Sequence, residues 1–395
     1  MKTEIAYSIQ PFTVGISDIV LTDLQQRLAN TRWMKPIESK GWDHGINPEY
    51  LKEFISYWHD VFDWRTQEKK LNGFKHFTTG VEDYNLHFIH EKGNSPVSVP
   101  LLLLHGWPDS FYRFNKIIPI LTHPASIGLH DTFSFDVVVP SLPGFGFTRS
   151  PSKVNQHQPM RHTASLMFNL MTEVLGYTQF VVAGGDGGSP LAQTMAIDYP
   201  ETVNAIYITD PGWHTQGVDL SILSKKEKKY AEKGKQEFMQ QGAYAMVQTT
   251  KPQSLAYALN DSPAALASWI LDRFYFWCDG DGDIEKCFTK DELLTNIMIY
   301  WSTQTIGSSM RAYKMETLSP TLTSKDYVNT PTGLGLFPKD IGGIPPREFV
   351  ERTVNVQHWT EFERGGHFTA WEEPQAMAAD LLKFFSSIKF KSHGR

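Results

Sequence analysis

Cysteine is almost missing from this chain: its 395 residues include two, Cys278 and Cys287. They lie nine positions apart, without the C-x-x-C pairing of a zinc site, and two thiols cannot build a disulfide framework. Two free thiols fit a reducing compartment. Also missing is a charged-then-apolar leader in the opening MKTEIAYSIQPF. No apolar run of about 20 residues follows it, so neither a signal peptide nor a membrane span is expected. The expected location is therefore cytoplasmic. Basic charge is in deficit, with 37 Lys and Arg against 43 Asp and Glu for a net −6. No basic patch interleaved with aromatics stands out, which excludes nucleic acid as an expected partner. Internal repeats and low-complexity tracts are absent too, excluding solenoids and long disordered segments.

What is present has the texture of a globular α/β protein. LTDLQQRLANTRW places Leu21, Leu24 and Leu28 on one helical stripe. NPEYLKEFISYWHDVFDW opens with Asn47 as an N-cap and Pro48 in the first turn. From about Phe74 the pattern changes: FKHFT and NLHFIHEK flank a glycine-containing turn and predict an antiparallel pair. VPLLLLHG, FSFDVVVPS, FVVAGGD and VNAIYITD are short, nearly continuous apolar runs, the mark of parallel strands buried on both faces. HTASLMFNLMTEVLG and SPLAQTMAIDYP between them are helices, the first closed by Gly176 and the second stopped by Pro200. From about Trp213 to Ser319 the alternation gives way to a Lys-, Gln-, Met- and aromatic-rich helical stretch, expected to be an inserted lid. PTGLGLF, VNVQHW and the helix EPQAMAADLLKFFSSI then resume the core.

The chemistry centres on VVAGGDGGSP, an apolar strand running into G-x-D-x-G. Such a turn needs Gly184 and Gly188 because a sharp strand-to-helix bend leaves no room for side chains there. It lifts the central residue, Asp186, to the N-terminus of the next helix, where backbone N–H groups favour an anion. The plain alternative is that Asp186 caps that helix. A carboxylate attacking an ester or amide carbonyl would give an unprofitable anhydride. Attack on a saturated carbon bearing a leaving group gives an alkyl ester that water can cleave, so one hard step becomes two easier ones.

The second step requires a base, a group to orient it and donors for an oxyanion. ERGGHFTAWEEP sets His367 on a glycine-flanked loop before the last helix, which distinguishes it among 14 histidines. LFPKD ends a strand at Asp340, the preferred acid, with Asp210 in ITDPGW its competitor; nucleophile, acid and histidine then follow the chain order this fold requires. The expected oxyanion donors are the backbone N–H groups of Gly187 and of Trp107 in LLLLHGWPDS.

On HGWP, GGDGG, FPKD and GGHF together, with the N-terminal helical region and the lid stretch TIGSSMRAYKMETL, the sequence resembles the epoxide hydrolases of the α/β-hydrolase fold, specifically their microsomal-type branch. The resemblance runs from about Pro11 to Phe385. It implies a mostly parallel eight-stranded sheet flanked by helices, with an inserted helical lid and an N-terminal helical extension. The expected division is 1–73 extension, 74–212 and 321–395 core, 213–320 lid. It implies hydrolysis of an epoxide to a vicinal diol, with two lid tyrosines that hold the epoxide oxygen and donate a proton. Tyr313 in SSMRAY matches that position and Tyr244 in QQGAYAMVQTTKP fits as its partner; a phenol of pKa about 10 can stabilise a departing alkoxide. No cofactor and no metal are implied, and the expected partners are a small apolar epoxide and water, with a homodimer left open. Two features depart from the family: Gly187 stands where relatives often carry a larger apolar residue or Trp, and the membrane-spanning anchor of the mammalian microsomal enzymes is not seen.

Two rival functions share parts of this pattern. A haloalkane dehalogenase would use the same nucleophile, but a halide needs no proton and Gly187 offers no side-chain donor. A non-catalytic hydrolase-fold binding protein would be expected to have lost one of Asp186, Asp340, His367 or Tyr313. The acidic loop CDGDGDIEKC alternates Asp279, Asp281 and Asp283, yet a calcium loop wants Gly at its sixth position and Glu at its twelfth, where Ile284 and Lys290 stand.

Overall fold

A computed structural model of the protein describes residues 7–35, 41–129, 132–151, 160–211 and 219–390. The N-terminal segment holds a short strand, β1 (Gln10–Phe12), and three helices, α1 (Asp18–Ala29), α2 (Pro48–Asp60) and α3 (Trp64–Leu71). Leu24 and Leu28 form the buried stripe of α1. Asn47 caps α2, its Oδ1 accepting the Glu49 and Tyr50 N–H groups at 3.0 and 3.4 Å. A hairpin follows, β2 (His76–Val81) and β3 (Tyr84–Glu91). Its turn is Glu82-Asp83, with Glu82 at φ 50°, and Gly80 lies within β2 instead.

The core continues through β4 (Val97–Leu104), α4 (Ile117–Thr122), β5 (Phe133–Pro140), α5 (Met160–Asn169), β6 (Phe180–Gly184), α6 (Gly188–Asp198) and β7 (Val203–Ile208). Six lid helices follow, α7 (Lys225–Gln241), α8 (Ala243–Thr250), α9 (Pro252–Asp261), α10 (Pro263–Trp277), α11 (Lys290–Thr303) and α12 (Ile306–Leu318). The chain returns to the sheet with β8 (Val328–Leu336), α13 (Arg347–Val350), β9 (Val354–Glu361), α14 (Thr369–Glu372) and α15 (Pro374–Ser386). The expected core–lid boundary at 212/213 lies outside the described residues.

The sheet has nine strands in the order β1-β2-β3-β5-β4-β6-β7-β8-β9, antiparallel from β1 to β5 and parallel from there on. This is an α/β-hydrolase fold with one strand more than the eight expected. The additional strand comes from the segment read as purely helical. Three residues carry no period, and the pairing is fixed by tertiary contact: Phe12 packs edge-on against His87, with ring centroids 5.0 Å apart. Pro11 is tolerated there because an edge strand can spare an N–H. Leu101 to Leu104 in β4 are fully buried, as a strand covered on both faces must be.

The extension also grips the lid. Tyr57 and Gln67 donate to the two oxygens of Asp291 on α11, at 2.9 and 3.0 Å, and Lys290 pairs with Glu53 at 2.9 Å. Among the described residues no helix is long and apolar enough to cross a membrane.

Candidate active site

From β4 the chain crosses to β5 on one side and later returns to β6 on the other, so the carboxyl ends of β4 and β6 flank a topological switch point. The HGWP turn follows β4 and the GGDGG turn follows β6. At the second turn Asp186 has φ 51°, a strained value for a residue other than glycine. Its flanking glycines are forced by close approach: a Cβ on Gly184 would lie 2.3 Å from the Gly188 carbonyl oxygen, and one on Gly188 2.1 Å from that of Leu104.

The Asp186 carboxylate does not cap α6, which begins without a side-chain cap. Its Oδ1 instead accepts the Trp107 backbone N–H at 2.8 Å, and the Gly187 N–H favours the same anion. Its Oδ2 makes no hydrogen bond and lies 3.2 Å from His367 Nε2, itself without a hydrogen-bond partner. On the far side of the imidazole, Nδ1 is 2.7 Å from Asp340 Oδ1 and 3.7 Å from Asp210 Oδ1. Asp210 is occupied elsewhere, its Oδ2 accepting the Asp186 backbone N–H at 2.5 Å and so bracing the strained turn.

The charges follow from these contacts. Burial works against the Asp186 anion, but His367 and the two N–H donors outweigh it and hold its pKa below the ordinary carboxylate value. Burial likewise works against a charged His367, yet the carboxylates of Asp340, Asp210 and Asp186 raise its pKa well above that of a free imidazole. Asp210, desolvated and beside Asp340, is pushed up to about 7. Asp210, Asp340 and His367 bring three potential metal-ligating atoms within 4.8 Å. Asp340 is hydrogen-bonded to His367 and Asp210 to the Asp186 backbone N–H.

The lid covers this cluster with aromatic rings. Tyr244 on α8 stacks on the Trp107 ring, centroids 5.4 Å apart and planes 4° apart, and Tyr313 on α12 meets both rings edge-on at 5.9 Å. The buried Tyr313 Oη has no hydrogen-bond partner. Burial, followed for Tyr244 by the Asp186 charge and for Tyr313 by Tyr244 and then Asp186, raises both phenols, so both stay protonated at neutral pH. All seven residues expected in the site therefore meet here.

Sequence reasoning missed the supports beneath. The buried Arg113 donates to Asp109 Oδ2 at 2.5 Å and to the His367 carbonyl at 2.6 Å, while Gly106 N–H donates to Asp109 Oδ1 at 2.9 Å. The signal was the i, i+4 acid–base pair directly after HGWP. Arg273 on α10 lies over the Tyr244 ring, 5.1 Å from its centroid. In the acidic loop Asp283 caps a short helical turn and Asp279 accepts the Gly365 N–H at 2.8 Å.

A strand–turn–helix elbow that presents a carboxylate, with a backbone donor on one of its oxygens and an imidazole facing the other, defines an α/β hydrolase with aspartate in the nucleophile position. Family models agree: residues 9–114 match the epoxide hydrolase N terminus and residues 99–365 the alpha/beta hydrolase fold. Epoxide hydrolase 1 of Oryctolagus cuniculus is 36% identical, the alignment covering 97% of this chain and 90% of that protein. The crystal structure of juvenile hormone epoxide hydrolase from Bombyx mori superimposes with a TM-score of 0.86 at 29% identity, covering 96% of this chain and 94% of that one. The Aspergillus niger epoxide hydrolase structure gives 0.84 at 28% identity, covering 98% of both. The chain belongs to the epoxide hydrolase family.

Proposed function

We propose that the protein converts an apolar epoxide to a vicinal diol through a covalent ester on Asp186. One observation carries the reading: the two Asp186 oxygens are differently engaged, Oδ1 by the Trp107 N–H and Oδ2 by nothing but the facing imidazole. Oδ2 attacks an epoxide carbon from the back, the carbon–oxygen bond of the ring breaks, and the departing oxygen takes a proton from Tyr313 or Tyr244. The product is an alkyl ester whose carbonyl oxygen, Oδ1, already accepts the Trp107 N–H, with the Gly187 N–H favouring negative charge on the same group. Water then adds to the ester carbon, His367 Nε2 takes its proton, and the charge that develops on Oδ1 is held by those donors. Collapse breaks the bond from the ester carbon to Oδ2, the diol leaves with Oδ2 and the proton held by His367, the water oxygen stays in the Asp186 carboxyl group, and the proton that group gives up on ionising restores the tyrosine.

The electrostatics order the two steps. While Asp186 is an anion it helps to keep His367 charged. Esterification removes that charge, so the His367 pKa falls and a base appears when water must be activated. Asp340, 2.7 Å from Nδ1, is the proposed orienting acid; Asp210, 3.7 Å away and committed to the elbow backbone, is not.

A cytoplasmic location is part of this reading, supported by the free thiols Cys278 and Cys287. The mechanism is tested by one turnover of an aryl epoxide in 18O-labelled water with enzyme in excess. Unlabelled diol and label in Asp186 are expected. Label in the diol would mean direct attack by water, and undiminished turnover by a folded Asp186→Ala protein would remove the nucleophile.

A further inference from the structure

The loop that carries His367 is tied down at each backbone N–H from Gly365 to Phe368, two of the four ties leading to the end of lid helix α10 and two to Glu372. His367 N–H donates to the Trp277 carbonyl at 2.8 Å, and Gly365 N–H to Asp279 Oδ2 at 2.8 Å. A Cβ on Gly366 would lie 2.4 Å from that same Trp277 carbonyl oxygen, so loop and lid are in direct backbone contact. One side chain joins them. Glu372, at the end of α14, accepts Phe368 N–H on Oε1 at 2.9 Å, and on Oε2 both Gly366 N–H at 3.1 Å and Asp279 N–H at 2.8 Å.

Those three donors decide the argument. Two belong to the residues immediately before and after His367, and the third to the first residues beyond α10. Here one carboxyl group fixes the backbone on both sides of the imidazole. Among the described residues no other carboxylate is shown bonding the backbone on both sides of the ring: Asp340 holds the ring, and Asp279 accepts from Gly365.

We infer that Glu372 is a positioning residue for the water-activating step: it clamps the histidine loop to the end of lid helix α10, holding His367 Nε2 where it faces the ester. The inference rests on the two-step reading given above. It makes a selective statement, because ring opening depends on Asp186 and the lid phenols, whereas ester cleavage depends on where His367 sits. A displacement of about 1 Å in such a group costs on the order of 100-fold in rate.

The test is a single turnover of styrene oxide with enzyme in excess, quenched over time and read by intact-protein mass spectrometry, so that formation and decay of the ester are followed separately. Glu372→Ala should form the ester at close to the unaltered rate and lose it on the order of 100-fold more slowly. Burial, opposed by the three N–H donors, pushes the Glu372 carboxyl up to about 7. Glu372→Gln keeps one acceptor oxygen and should decay at an intermediate rate; it also carries the test if Glu372→Ala does not fold. Ester decay at the unaltered rate in Glu372→Gln and in any folded Glu372→Ala overturns the inference, as does equal slowing of formation and decay, which would mark a general structural role. If the unaltered enzyme places label from 18O water in the diol during its first turnover, the two-step reading itself fails, and that outcome is distinct from the other two.

Discussion

The division of labour between the Asp186 oxygens sets what each neighbouring residue can be asked to do. Tyr313→Phe and Tyr244→Phe leave the ester-cleaving groups in place, so each is expected to slow ester formation by about 100-fold or more without slowing ester decay, as read by the same quenched time course. Asp340→Asn should instead let the ester accumulate, because an amide cannot stabilise the imidazolium. Asp210→Asn should let it decay normally at alkaline pH. Its pH profile should move, however: Asp210 is one of the anions that raise His367, so its removal lowers the imidazole pKa and the rising limb of ester decay shifts to lower pH. A limb that stays in place would mean that Asp210 does not act on His367. At this scale the sequence was legible wherever a turn demanded particular residues, as at Gly184, Asp186 and His367. It was mute on Asp109 and Arg113, because an acid–base pair at i, i+4 looks like any surface helix pair until its burial is known. Leaving Asp109 buried without its cation costs about 3–5 kcal/mol, so Arg113→Met should lower the urea midpoint sharply even though it touches no reacting atom.

Among the elements, β4 to β7 were readable because strands buried on both faces leave an unbroken apolar run, and α2 because its cap and proline coincide. β1 was not, since three residues have no period and pairing with β2 decides their state. The seam that β1 closes contains two stacked, buried histidines. His76 Nε2–H donates to the Leu71 carbonyl at 2.8 Å, which leaves Nδ1 to accept from His87 Nε2–H at 2.9 Å. His87 Nδ1 in turn accepts the Ser141 hydroxyl at 2.8 Å, with Phe12, Phe111 and Phe147 around the ring. Both imidazoles are neutral in this chain, and burial lowers both pKa values, His87 the more. Their contribution to stability is therefore complete above the unfolded-state pKa, about 6.5, and is lost as the pH falls below it toward their folded values. Lowering the pH from about 7.5 to about 5.5 should lower the thermal midpoint, and His87→Gln, which cannot titrate, should show a smaller drop. An identical drop in both proteins would remove His87 from the account.

For the molecule as a whole, the order of extension, core and lid could be read from changes of texture, but not what fastens one to another. Many of those fastenings are polar contacts between residues far apart in the chain, 224 and 234 positions for the partners of Asp291, which no local pattern announces. Asp291 is the clearest. It lies in the first turn of α11, the helix whose Asn296 and Tyr300 donate to the carbonyls of Pro108 and Asp109 at 2.8 and 2.6 Å, beside Trp107, the proposed oxyanion donor. Its own two oxygens are taken by Tyr57 of α2 and Gln67 of α3, so one carboxylate joins the extension to the helix that supports the site. Gln67 is buried, and removing its acceptor leaves a donor without water or partner. Asp291→Ala should therefore cost about 1–3 kcal/mol, the penalty for stranding buried donors, whereas Asp291→Asn, which keeps one acceptor, should recover part of it. Urea unfolding followed by tryptophan fluorescence measures the difference directly. If Asp291→Ala unfolds at the same urea concentration as the unaltered protein, the extension is held by its apolar packing and its other polar contacts, such as Glu53 with Lys290, and not by Asp291. If it is destabilised and Asp291→Asn is not, the carboxylate matters as an acceptor of two hydrogen bonds and its charge does not, and extension, lid and oxyanion turn form one mechanical unit.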